Sequence, residues 1–286
     1  MKIMLTTLLT SLLIAVSLPL PVAAEEEEAP EYGWKNQVVG SLNMTQAQFD
    51  NWSQGGENTL AWQLNVNSSF ALDQMRFSWT TTGKLSYGQA KIGDREARKS
   101  ADEFRIESVY LYKLGDYVNP YVSGLLQTQI MKGYNYEAED RFPISNFFDP
   151  GYITLSAGVA YEPTSYLITR IGAATKTTIT KEYAVGLTDD PETTSIEKTD
   201  TEFGALSVTE LRKPLAENIL LTSKLDLFSN LESLKKVDVR WDTVLSAKVS
   251  RFVDVNLNVE LLYDSNVSSK RQLKQLLALG LSYTFL

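Results

Sequence analysis

The sequence predicts an all-β fold, a single antiparallel transmembrane β-barrel of about twelve strands, on three observations. Apolar and polar residues alternate strictly, as where Val253, Val255 and Leu257 are separated by Asp254 and Asn256. Such alternation is typical of a strand with one apolar and one polar face. The alternating stretches reach the roughly 9 to 11 residues that a tilted strand needs to cross a bilayer. Finally, the connections between the stretches alternate between short and long.

Twelve segments of the chain show this alternation. They lie near residues 38–49, 59–71, 75–88, 104–113, 118–131, 152–161, 166–180, 202–212, 219–229, 237–249, 253–264 and 273–286. An even number of strands suits a bacterial single-chain barrel that has both chain ends on the periplasmic side.

The connections sort by length along the chain. Those after the even-numbered segments are tight, as at 115–116 and 250–252, whereas most of the others are longer, as at 89–103 and 181–201. Outer-membrane barrels combine short periplasmic turns with longer extracellular loops. The loop pattern therefore indicates the same fold and fixes its predicted orientation.

The first residues predict export. Lys2 precedes a largely apolar run, and Pro21 is followed by small residues up to Ala24, which is typical of a cleaved signal peptide. We therefore expect a signal peptide at 1–24, an acidic periplasmic extension at 25–36 and an outer-membrane β-barrel at 37–286. The predicted location is the bacterial outer membrane, reached through the periplasm.

Composition excludes several classes of function. The net charge is −8, and the chain contains no histidine and no cysteine. An acidic chain lacks the basic face that phosphate contacts need, so we expect no nucleic-acid partner. Without histidine or cysteine there is no Ser-His or Cys-His nucleophile pair and no histidine or thiolate metal site. We expect no enzymatic activity, no cofactor and no metal.

The expected partners are those of an outer-membrane protein: lipid, lipopolysaccharide and, during biogenesis, the barrel-assembly machinery. The C-terminal residues 279–286 alternate apolar and aromatic side chains and resemble the terminal strand that this machinery recognises, with Phe285 penultimate rather than last. The sequence leaves the oligomeric state open.

The polar faces of the predicted strands carry charges of both signs. The lumen-lining candidates are Arg76, Lys84, Arg105, Glu107, Lys224, Asp226, Asp238, Arg240, Asp242, Lys248, Asp254 and Glu260. Two interpretations are open: a charged ladder that tunes ion passage, or an ion-pair network that fills a narrow lumen and holds it rigid.

The loop at 51–58 is the most distinctive in the chain. Its candidates are Trp52, Gly55, Gly56 and Asn58, which form either a ligand-binding or plug loop or a structural turn. The segment resembles the NWxxGGxN signature of the domain of unknown function 3078 family, and 223–230 resembles a later piece of the same family. The resemblance implies an outer-membrane barrel and brings no known substrate.

The predicted function is a narrow channel for ions or small solutes. The alternative is a non-conducting structural or loop-mediated binding protein of the outer membrane. A barrel hydrolase ranks third, because the familiar barrel esterase chemistry needs a histidine.

Overall fold

The computed structural model describes residues 32–50, 56–136, 141–190, 192–231, 237–264, 266, 268 and 270–285. The predicted signal peptide, most of the predicted acidic extension, Trp52 and Gly55 lie outside the described residues. In the described part of the chain, no helix is long and apolar enough to cross a membrane.

Twelve long strands form a closed antiparallel barrel, as the sequence predicted. They are β1 (Gly33–Ala47), β2 (Thr59–Asp73), β3 (Phe77–Ile92), β4 (Arg98–Tyr112), β5 (Val118–Thr128), β8 (Gly151–Thr164), β9 (Leu167–Ile179), β10 (Thr199–Ala216), β11 (Ile219–Asn230), β12 (Val237–Lys248), β13 (Val253–Tyr263) and β14 (Gln272–Thr284). Two short strands, β6 (Gly133–Asn135) and β7 (Phe142–Ser145), pair as a separate hairpin inside the connection from β5 to β8. Each barrel strand corresponds to one predicted segment.

The connections define two ends of the barrel. At the short-turn end, β2 joins β3 and β12 joins β13 through only a few residues, and β1 starts and β14 ends there too. The other end, the long-loop end, carries the connections at 129–150 and 180–198. One prediction at this end was wrong, because residues 98–103 are paired with β3 beyond a bulge at Gly88 and Gln89. The predicted long loop at 89–103 is therefore a short connection at 93–97.

Strand register divides the side chains between two faces. Leu257 is paired with Leu245 of β12 and Leu277 of β14, and residues paired directly across a sheet share a face. These leucines point outward, where Leu277 is 67% exposed. Asn256, one residue along, is on the inner face. The barrel thus has an apolar outer face and a polar inner face.

A small apolar core lies inside the barrel. Leu111 of β4, Tyr121 of β5 and Ala160 of β8 are buried together, with Val109 and Ile168 against them. All five residues belong to the adjacent strands β4, β5, β8 and β9, towards the short-turn end. This side of the interior is therefore filled by side chains.

Candidate functional site: the barrel lumen

Ion pairs cross the interior of the barrel. Arg105 of β4 donates from Nη2 to Oδ2 of Asp226 of β11 at 2.8 Å. These strands are not neighbours in the sheet, so the two side chains meet only across the lumen. The contact identifies the inner face directly.

Four more side chains extend this contact into a charged wall, which we define as Arg105, Glu107, Arg170, Glu210, Lys224 and Asp226. Arg170 Nη2 lies 2.7 Å from Glu107 Oε1 and 2.5 Å from Glu210 Oε1. Lys224 contacts the same two carboxylates. Arg170 is only 2% exposed. Buried charges need such pairing, because an isolated ion is strongly disfavoured away from water. Three cations and three anions leave the charged wall neutral.

A second group, the Arg240 cluster, comprises Lys84, Glu103, Arg240, Asp242 and Glu260. Arg240 Nη2 lies 2.6 Å from Glu103 Oε1 and 2.9 Å from Glu260 Oε1, while its Nε lies 2.9 Å from Asp242 Oδ2. Lys84 Nζ lies 2.7 Å from the other oxygen of Glu103. Because Glu103 belongs to β4 and Arg240 to β12, this cluster also spans the lumen.

A third group, the Lys176 group, comprises Lys176, Glu202, Asp238 and Asp264 and joins strands near the long-loop end. Lys176 Nζ of β9 lies 2.7 Å from Asp238 Oδ2 and 2.8 Å from Asp264 Oδ2, with Glu202 Oε2 at 3.9 Å. The cation draws together side chains from β9, β10 and β12 and from the residue after β13.

Beside these groups lies a lumen cavity of about 920 Å³. It extends from Asn218 and Lys248 at the short-turn end to Gln127 and Gln129 at the long-loop end. Uncharged amide and hydroxyl side chains form much of its lining: Gln37, Ser41, Asn43, Gln63, Asn65, Asn67, Ser86, Gln127, Thr128, Gln129, Asn218, Thr222, Ser246, Asn256, Asn258 and Ser282. Most of them come from β1, β2, β12, β13 and β14, so the free space follows the side of the barrel opposite the packed core.

The structure places all but one of the predicted lumen candidates inside the barrel. The charged wall contains Arg105, Glu107, Lys224 and Asp226. The Arg240 cluster contains Lys84, Arg240, Asp242 and Glu260. The Lys176 group contains Asp238, and the lumen cavity is lined by Lys248 and Asp254. The prediction for Arg76 was wrong. This residue is exposed in the turn at 74–76, because β3 begins only at Phe77.

Several inner charges were missed in the sequence. Arg170 and Lys176 on β9, and Glu202 and Glu210 on β10, occupy alternate positions of their strands, which is the signal that could have identified them. Small residues interrupt the polar side of the pattern there, as at Gly172 between Arg170 and Lys176. The missed residues supply a third of the charged wall and the centre of the Lys176 group.

The predicted loop candidates are only partly described. Asn58 Oδ1 accepts a hydrogen bond from the N–H of Phe49 at 2.7 Å. Gly56 has a φ of +140° and lies against the Phe49 ring, where a side chain would be both strained and obstructed. These contacts give both residues a structural part in closing the connection from β1 to β2.

Two aspartates fasten the connection from β5 to β8. Asp102 accepts the N–H groups of Ile130 and Met131 at 2.7 and 3.1 Å. Asp149, which is buried, accepts four backbone N–H groups from residues 181–184 at 2.8 to 3.2 Å. Burial alone would raise the pKa of Asp149, but the four donors outweigh it and lower the pKa. The two longest loops are thereby joined to each other and to the barrel rim.

A second cavity of about 380 Å³ lies at the long-loop end, lined in part by Ile144, Tyr183 and Leu187. It shares Gln129, Pro150 and Tyr152 with the lumen cavity, so the two spaces adjoin. No group of three or more acidic side chains suited to a metal ion occurs among the residues that the structure describes.

Among proteins with curated descriptions, none matches the sequence. Several solved barrels are similar in structure. The translocator domain of the autotransporter NalP from Neisseria meningitidis is 10% identical, with 90% of each chain covered and a TM-score of 0.42. The COG4313 outer membrane channel from Pseudomonas putida F1 is 10% identical, with 92% of this chain and 98% of that chain covered and a TM-score of 0.40. The NanC porin is 10% identical, with 87% of this chain and 97% of that chain covered and a TM-score of 0.37.

The family comparison falls on the first third of the barrel. The matched segment begins within β1 and ends in the β6–β7 hairpin, and it includes the loop whose signature motivated the predicted resemblance. Residues 44–134 match the family described as "Protein of unknown function (DUF3078)", which confirms the resemblance.

Proposed function

We propose that this protein is a bacterial outer-membrane barrel that forms a narrow, weakly selective channel for small polar solutes. The observation that carries the proposal is the lumen cavity, which follows one side of the barrel from the short-turn end to the long-loop end between polar side chains. Water and hydroxylated solutes exchange hydrogen bonds readily with amides and hydroxyls.

The outer face supports a membrane location. On β14 the outward residues Leu273, Leu277, Leu279, Leu281 and Tyr283 are each more than half exposed. Gln275 is the one polar residue on this face of the strand. Ten residues along a strand tilted by about 40° rise about 25 Å, the height of the apolar band of an outer-membrane barrel. At the short-turn end Tyr283 stacks on Phe252 with centroids 6.3 Å apart, as expected of an interfacial aromatic girdle.

The charges support weak selectivity and a small bore. The charged wall and the Arg240 cluster cross the lumen and leave solutes only the lumen cavity. Among the described residues lining that cavity, Lys248, Lys274 and Asp254 have no ion-pair partner within 4.0 Å, so both signs remain available. A passage presenting both signs discriminates weakly between anions and cations.

Planar-bilayer recording and liposome swelling with neutral sugars of increasing size test the proposal. We expect small conductance steps and swelling that stops at small solutes. Asn65→Trp with Asn256→Trp should reduce both signals by filling the lumen cavity, whereas Leu257→Trp on the outer face should leave them unchanged. Large stable openings would refute the narrow passage. The absence of both conductance and swelling in the folded barrel would favour a non-conducting binding protein.

A further inference from the structure

The seam that closes the barrel is paired over only part of its length. Residues 39–44 of β1 pair with residues 279–284 of β14, six pairs in all. By contrast, β1 forms fifteen pairs with β2 on its other side. Continuing the seam register would set Thr45 against Ala278 and Ala47 against Leu276, but these described residues are not paired across the seam.

The unpaired part of the seam lies at membrane depth. Among the described residues, 272–278 of β14 pair only with β13. Leu277 opposes Leu257 near the middle of the strands, and Leu273 lies further towards the long-loop end. The open edge of β14 therefore occupies the half of the apolar band that faces the long loops.

The other half of the seam is closed. The N–H of Phe285 donates to the carbonyl of Val38 at 2.8 Å, and its ring lies over Gly40, where an added Cβ would come within 3.0 Å. Tyr283 packs edge-on against Phe285 with centroids 4.9 Å apart. Hydrogen bonds and aromatic rings thus seal the seam at the short-turn end only.

An unpaired strand edge is not stable against hydrocarbon, because its N–H and C=O groups need partners. Irregular backbone occurs at membrane depth where it lines a water-filled cavity. The open edge meets this condition, because Lys274 and Leu276 of β14 line the lumen cavity.

We propose that the long-loop half of the β1–β14 seam is a lateral portal between the lumen cavity and the outer leaflet, used by amphipathic molecules. The inference rests on the proposed membrane location and a water-filled cavity. The polar part of such a molecule lies among the amide side chains. Its apolar chain leaves between the two strand edges.

The chemistry at the lateral portal suits such a molecule on both sides. Leu276 is an apolar side chain on an otherwise mostly polar inner face, and Leu273 and Leu277 flank the edge outside.

The chain has no cysteine, so single cysteines can be labelled with a fluorophore without background. We would label Leu276→Cys, Leu277→Cys and Asn258→Cys in vesicles whose lipids carry bromine, a contact quencher, in mid-chain. Leu277→Cys reports the outer face. Asn258 of β13 is paired directly with Leu276 of β14, so Asn258→Cys reports the inner face one strand away from the seam. Quenching at position 276 should approach that at 277 and exceed that at 258 severalfold.

Hydrogen exchange gives a second measurement. The amides of 272–278 should exchange rapidly in the unmodified barrel. A disulfide in Ala47→Cys with Leu276→Cys should slow them, whereas one in Ala47→Cys with Thr59→Cys, which joins an existing pair of β1 and β2, should not. Slow exchange in the unmodified barrel would overturn the lateral portal, and a dimer cross-linked through Leu277→Cys would assign the edge to a second copy instead.

The outcomes separate the two proposals. A conducting barrel in which position 276 is quenched no more than position 258 keeps the channel and overturns the lateral portal. A barrel with a quenched position 276 but no conductance and no swelling keeps the portal and overturns the channel.

Discussion

The assignment of faces makes a quantitative prediction at two adjacent residues. Leu257 points outward near the middle of β13, between Leu245 and Leu277, and an arginine there costs about 2 to 4 kcal/mol of the free energy of unfolding in a bilayer. Asn256→Arg places the same side chain in the lumen cavity beside Asp254, whose Oδ1 has no hydrogen-bond partner among the described residues.

The cost of Asn256→Arg is correspondingly small. The substitution removes the hydrogen bond that Ser246 donates to Asn256 at 2.6 Å, worth about 1 kcal/mol. It also removes the hydrogen bond that Asn256 donates to Asp254, which a contact between the new guanidinium and Asp254 replaces. We therefore expect Leu257→Arg to be the more destabilising variant by about 2 kcal/mol.

Urea titration of refolding in large unilamellar vesicles measures both free energies. Protease protection of the embedded barrel shows that each variant has inserted. Equal destabilisation of the two variants, or a larger loss for Asn256→Arg, would refute the assignment of inner and outer faces.

Three further predictions concern the loops and the lumen. Asp149→Asn keeps one accepting oxygen but sets an NH2 donor against the two N–H groups that bind the other, so amides of 181–184 should exchange faster and proteases should cleave the adjoining loop in intact cells. The hydroxyl of Thr193 and its neighbours lower the pKa of Glu197 to about 2. Because this pKa is below the ordinary value of 4.5, the hydrogen bonds to the Glu197 carboxylate stabilise the folded loop fully above pH 4.5. That stabilisation is lost only as the pH falls towards 2, which NMR titration of the loop can follow. Arg240→Gln leaves the Arg240 cluster with three carboxylates and one lysine. The reversal potential in a salt gradient should therefore shift in the direction that indicates preference for cations.

The strands were predictable because the polarity pattern of each strand depends only on residues that are close in sequence. Alternation with a period of two depends only on whether each residue faces the outside or the lumen of the barrel, and it located all twelve barrel strands. The prediction failed where the two faces of a strand no longer differ in polarity. Residues 98–103 are mostly polar or charged on both faces, since β3 and β4 extend beyond the apolar band, and the start of β4 was therefore placed too late.

The division of the lumen was not predictable in the same way. Alternation identified Arg105 and Asp226 as inward-facing, but their contact depends on which strands oppose each other once the barrel has closed. The sequence left open whether the inner charges form a ladder or a network. The cross-lumen contacts form a network, and the partial pairing of β1 with β14 likewise has no counterpart in the local pattern.

The ion pairs of the charged wall and the Arg240 cluster also affect how the barrel assembles. Neighbouring strands can pair as soon as each hairpin forms, but Arg105 and Asp226 are 121 residues apart and Glu103 and Arg240 are 137 apart. Until the sheet closes, the contacts between Arg105 and Asp226 and between Glu103 and Arg240 are absent, so these charges keep only their partners on the same or neighbouring strands and remain more hydrated. The contacts across the lumen form only when the barrel closes. The same residues that narrow the lumen therefore favour the closed barrel over open assembly intermediates.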